Sequence, residues 1–108
     1  MRAGQVLVLT GPPGAGKSTV ARALTAQLDQ AVLVRGDDVL GCVVSGFVDP
    51  WLPDAHTQNR AALAATAATA REYAISGYPV VVDTVLGHWH LCVPHGARSA
   101  VRVRRAST

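Results

Sequence analysis

Residues 10–19, TGPPGAGKST, carry the densest chemistry in the chain. Gly11, Gly16, Lys17 and Ser18 fit the spacing G-x-x-x-x-G-K-[ST]. Glycines at these positions reach backbone angles closed to other residues and let the main chain approach an anion. Successive N–H groups of Gly11, Pro12, Pro13, Gly14, Ala15, Gly16, Lys17, Ser18 and Thr19, less those lost at the two prolines, would surround phosphate oxygens. Lys17 is the only lysine; the other basic residues are arginines. A compact ammonium sits between β- and γ-phosphates where a planar guanidinium fits poorly. The Ser18 hydroxyl is a hard oxygen ligand suited to Mg²⁺. The chemistry is that of binding a nucleotide such as ATP. Three further carboxylates stand at chain turns: Asp37 and Asp38 after Gly36, and Asp83 after an apolar run. By residue type alone, the first two also fit a polar turn and the third a strand-end cap.

The elements that must hold these groups follow from the apolar pattern. QVLVLT, residues 5–10, is a continuous apolar run of the buried parallel type. The Gly/Pro loop comes next, then a helix expected from Lys17 to Leu28, with Val20, Leu24 and Leu28 toward a sheet. AVLVR, residues 31–35, is a second strand, and PVVVDT, residues 79–84, a third. Between them residues 37–54 read as irregular. An alanine-rich helix is expected from Ala55 to Ile75, capped by Asp54 or Thr57, with Leu63, Ala67, Ala70 and Ala74 buried. Alternating strands and helices predict an α/β fold, a parallel sheet between helical layers.

Composition narrows the class. The 108 residues are 49% apolar, enough for one modest core. No apolar run is long enough to cross a bilayer, and MRAGQVLVL lacks a signal-peptide core, so a cytoplasmic location without a membrane partner is expected. Cys42 and Cys92 have no metal or disulfide spacing, and free thiols are the expectation. The net charge of +3 misleads: Arg98, Arg102, Arg104 and Arg105 sit in the last eleven residues without an acid. The body is slightly acidic, which argues against a nucleic-acid surface. His88, His90, Cys92 and His95 match no zinc pattern and read as loop.

Exclusions sharpen the motif. With its single lysine used, the chain has no Asn-Lys-x-Asp guanine-reading element, which argues against a GTPase. Thr84 follows Asp83 where mechanical ATPases need a water-activating glutamate, so an AAA-type ATPase is disfavoured.

VLVLTGPPGAGKSTVARAL, VRGDDVL and GYPVVVDTVLG together resemble the small-molecule P-loop kinases. The nearest likeness is to chloramphenicol phosphotransferase-like and zeta-toxin-like kinases, which are often labelled AAA family ATPases. The resemblance covers residues 5 to about 90 and implies transfer of the ATP γ-phosphate to a small-molecule hydroxyl. It implies that Asp37, with Asp38 as its rival, accepts the hydroxyl's proton. It implies a third strand beside the first, with Asp83 near Ser18 to share Mg²⁺. Phe47, Trp51 and Pro53 would roof the acceptor pocket or, equally, cover the sheet edge.

Such kinases have five parallel strands and an arginine-bearing lid, and the tail arginines align with no lid position. The expectation is a kinase N-terminal half over residues 1–91 and an irregular basic tail over 92–108, truncated or frameshifted. A non-catalytic nucleotide-binding fragment is the alternative. Strand order 2-3-1 would leave VLVL an open edge that invites self-association. AVRVR, residues 100–104, alternates apolar and basic; an irregular tail is the expectation, and a makeshift strand pairing there the lesser alternative.

Overall fold

The computed structural model describes residues 1–10, 16–84 and 100–105. Strand β1 is Gln5–Thr10, helix α1 Lys17–Ala26, strand β2 Val32–Arg35 and helix α2 Gly36–Leu40. A 3₁₀ turn at Pro53–Ala55 leads into helix α3, His56–Ile75, followed by β3, Val80–Asp83, and β4, Ala100–Arg105. The sheet order is β2-β3-β1-β4. The first three strands are parallel, as their uninterrupted apolar runs predict.

Side-chain alternation along β3 builds two cores. Val80 and Val82 face one way and pack with Val34, Ala70 and Ala74 of β2 and α3. Val81 faces the other way and packs with Leu7, Leu9 and Ala21 of β1 and α1. Helices therefore cover both faces of the sheet, giving the three-layer αβα arrangement. Val80 and Val81 are completely buried. Burying each contributes roughly 1.5–3 kcal/mol.

Several details differ from the sequence expectation. The face of α1 against the sheet centres on Ala21 and Leu24, while Val20 is 48% exposed. A small residue at the contact lets the helix lie close, and the helix turns accordingly. Along α3 the buried stripe is Asn59, Thr66, Ala70 and Ala74; Ala67 is exposed and Leu63 half-buried. An alanine-rich helix has little difference between its faces, so its rotation is set by what it packs against. The Thr66 hydroxyl is tolerated there because it donates to the Ala62 carbonyl at 2.8 Å. Neither Asp54 nor Thr57 caps α3; Ala55 is at its N-cap without a side-chain bond, and the 3₁₀ turn begun by Pro53 supplies the entry. α2 was not anticipated in the segment read as irregular.

β4 pairs antiparallel along all of β1, from Gln5↔Arg105 to Thr10↔Ala100. The AVRVR segment thus forms the strand its alternation allowed, and the tail is not irregular throughout. The expected open edge on VLVL is occupied, which removes the basis given for self-association. Arg102, Arg104 and Arg105 fall in this strand, while Arg98 and the His88–His95 cluster lie outside the described residues.

Gly77 closes α3 with φ +100°, a left-handed value, and a side chain there would meet nothing within 4 Å. Its N–H donates to Ala74 and the Tyr78 N–H to Tyr73, which turns the chain into β3. Only backbone strain opposes a larger residue. Gly77→Ala is expected to cost about 1–2 kcal/mol. In thermal unfolding it should lower Tm by at least about 4 °C. An unchanged Tm would show that the turn does not require the left-handed conformation.

Candidate functional site

The carboxyl ends of the parallel strands converge. In register, Leu9 and Arg35 both stand opposite Asp83, from the two sides of β3. The Thr84 N–H donates to the Leu9 carbonyl at 3.1 Å, extending the β1–β3 ladder one residue further. The glycine-rich loop, the Asp37–Asp38 pair and Asp83 are therefore attached to three adjacent strand ends. In open α/β sheets this is the edge outside which ligands bind.

Gly16 occupies the N-cap of α1 with φ 78°, and no atom lies within 4 Å of a Cβ built on it. The glycine is required by backbone conformation rather than by space. Its carbonyl accepts the Val20 N–H at 3.1 Å, the first helical bond, and no side chain caps the end. The amides of that first turn, with the helix dipole behind them, favour an anion. Gly11–Ala15 and the Lys17 side chain lie outside the described residues.

The Ser18 hydroxyl donates to Oδ2 of Asp83 at 2.8 Å across 65 residues of sequence. Asp83 is only 6% exposed, whereas Ser18 faces solvent. The two expected metal-side residues are thus brought together by the β1–β3 pairing. They form a pair of hard oxygen donors. Mg²⁺ characteristically takes one or two protein ligands and completes its shell with phosphate and water, so the donor set fits that ion. Among the described residues no group of three His, Cys, Asp or Glu side chains could hold a metal on its own.

Asp37 and Asp38 are both exposed, in the first turn of α2, one strand away from Asp83. They are helical rather than part of a simple polar turn, and both remain open to a ligand. Gly36, the first residue of α2, is what lets the chain turn there. A Cβ on it would stand 2.6 Å from Thr84 Oγ1 and 3.0 Å from Thr84 Cβ.

The segment after α2 is fixed to α3. Gln58 accepts from the Val48 N–H at 2.9 Å and donates to the Val48 carbonyl at 2.7 Å. Asn59, itself buried, donates to the Pro50 carbonyl at 2.8 Å. α3 is twenty residues long, about 30 Å. Its C-terminal end meets the amino side of the sheet, where Gly4 donates to Tyr78. Four-residue β3 spans about 13 Å, so the opposite end of α3 rises past the carboxyl edge with this loop attached. Phe47, Trp51 and Pro53 of this segment are exposed, Trp51 by 68%. Gln58 and Asn59 were invisible to the sequence reading, because a bidentate amide ten residues from its partner leaves no spacing signature.

Against known families, the chain matches the AAA domain family over residues 6–102. The match spans most of the sequence, and the chain belongs to this family, which is of the P-loop NTPase type. It is accordingly a nucleotide-binding P-loop protein. A 60-residue stretch is 41% identical to ABC transporter G family member 41 of Arabidopsis thaliana, covering 55% of this chain and 4% of that protein. The chain therefore corresponds to a small fraction of that relative's length, and transport is a description of the relative alone. No helix among the described residues is long and apolar enough to cross a membrane.

Proposed function

We propose that the protein is an ATP-dependent phosphotransferase that moves the γ-phosphoryl group of ATP to a hydroxyl of a small molecule. The observation that carries this reading is the Ser18–Asp83 pair at 2.8 Å, with exposed carboxylates on the next strand end and Thr84 rather than glutamate beside it. On this reading Asp37 serves an alcohol, and Thr84 stands where a water-activating glutamate would.

Residues Gly11–Thr19 hold the nucleotide, with Lys17 on the β- and γ-phosphates. Ser18 and Asp83 would hold Mg²⁺, which when bound neutralises charge on the β- and γ-phosphate oxygens. Asp37 orients the acceptor hydroxyl and takes its proton. The hydroxyl oxygen bonds to γ-phosphorus as the bond from γ-phosphorus to the β–γ bridging oxygen breaks, and ADP leaves with that electron pair. Little covalent work falls to the protein, so positioning and charge stabilisation dominate. The solvent-facing Phe47 and Trp51 offer the acceptor an apolar wall.

ADP release with Mg·ATP, measured with and without a panel of small alcohols, is expected to rise only when an acceptor is present, with label from [γ-³²P]ATP appearing on that acceptor. Equal ADP release without acceptor would overturn the reading in favour of an AAA-type ATPase. Saturable nucleotide binding without turnover across a broad panel would favour a binding protein, the second reading.

A further inference from the structure

We infer that the Gly36–Thr84 contact is a spacer that fixes α2, and with it Asp37, against the metal-side carboxylate, making Thr84 a positioning residue. The inference rests on the phosphotransferase reading above. Its basis is a continuous path of contacts. Asp37 follows Gly36, and the Gly36 backbone passes over the Thr84 side chain so closely that an added Cβ would be 2.6 Å from Oγ1. Thr84 is 8% exposed and is pinned to β1 through its N–H at 3.1 Å from the Leu9 carbonyl. Asp83 precedes it and holds Ser18 at 2.8 Å.

Thr84 has little freedom to move away. Its backbone is tied into the ladder, its neighbour Asp83 is nearly buried, and β3 is covered on both faces. A side chain at position 36 would therefore strain the strand end that Thr84 shares with Asp83, and with it the Ser18–Asp83 pair. Interiors resist such insertion because they are close-packed and have few voids to absorb it. The register Arg35↔Asp83 couples the two strand ends, so the same strain changes the distance between Asp37 and Asp83. A threonine after the metal-side aspartate thus has a geometric use, apart from being the residue that is not glutamate.

The test uses the whole chain and the variants Gly36→Ala, Thr84→Ala and the double replacement. Thermal unfolding reports folding, and calorimetry gives the ATP Kd in Mg²⁺ and in EDTA. Wild type is expected to bind ATP more tightly with Mg²⁺. Gly36→Ala should lose roughly tenfold of that Mg²⁺-dependent gain while keeping its affinity in EDTA. The double variant should recover most of the gain, because the atom at 2.6 Å is gone and the remaining approach, to Cβ, is 3.0 Å. A folded Gly36→Ala with the full gain, equal losses in Mg²⁺ and EDTA, or no recovery in the double variant would overturn the inference. Should Gly36→Ala not fold, the double variant decides: a folded double with most of the wild-type gain supports the spacer, and a double that fails to fold or has lost the gain overturns it. A folded wild type that binds no ATP in either condition would overturn the phosphotransferase reading itself, and is distinct from all of these.

Discussion

Asp37→Asn is expected to lower phosphoryl transfer by roughly 100- to 10,000-fold, the usual contribution of a positioned general base. The amide keeps the size and one hydrogen-bonding oxygen but accepts no proton. Because Asp37 is exposed at the start of α2, the fold should be unaffected. The Kd for Mg·ATP should also hold, since the proposed nucleotide and metal residues, 11–19 and Asp83, include none of α2. Single-turnover kinetics separates these quantities. The same replacement at Asp38 reads the rival, and the larger loss marks the base. If both single variants transfer at the wild-type rate, the proton goes elsewhere and the role given to α2 is wrong.

Lys17→Ala is expected to reduce Mg·ATP affinity below detection by calorimetry, a loss of about 100-fold or more. A charged hydrogen bond to phosphate contributes roughly 1.5–3 kcal/mol, and the loss of the ammonium also leaves phosphate charge unbalanced in the glycine loop. Lys17→Arg should recover only part of the affinity, because the planar fork does not fit a point-charge position. Lys17 opens α1, and its expected partner is phosphate rather than the core, so the unfolding midpoint should stay close to wild type. Retained saturable binding in Lys17→Ala would place the nucleotide away from the glycine loop.

β1, β2 and β3 are legible because each is an apolar run bounded by glycine or proline, and strands covered on both faces need no alternation. The phosphate loop is legible because its function constrains backbone angles, and glycine is the residue that meets them. The Ser18–Asp83 pair was expected only through resemblance; nothing in two residues 65 positions apart says that they touch. The buried stripe of α3 was assigned partly to the wrong residues, since alanines differ too little in hydrophobicity to mark a face. The tail was read as irregular, although its one alternating segment was the right candidate for pairing with β1.

By itself, the sequence determined the local chemistry: a glycine-lined loop with a single lysine and a serine, two carboxylates after the second strand and one at the end of the third. These are properties of neighbouring residues, set by backbone angles and side-chain type. The tertiary structure alone decided which of them meet. Parallel pairing of β3 between β2 and β1 puts Asp83 in register with both strand ends, and brings Thr84 under Gly36. β4 on β1 is a decision of the same kind, because strand partners satisfy backbone groups that carry no residue identity.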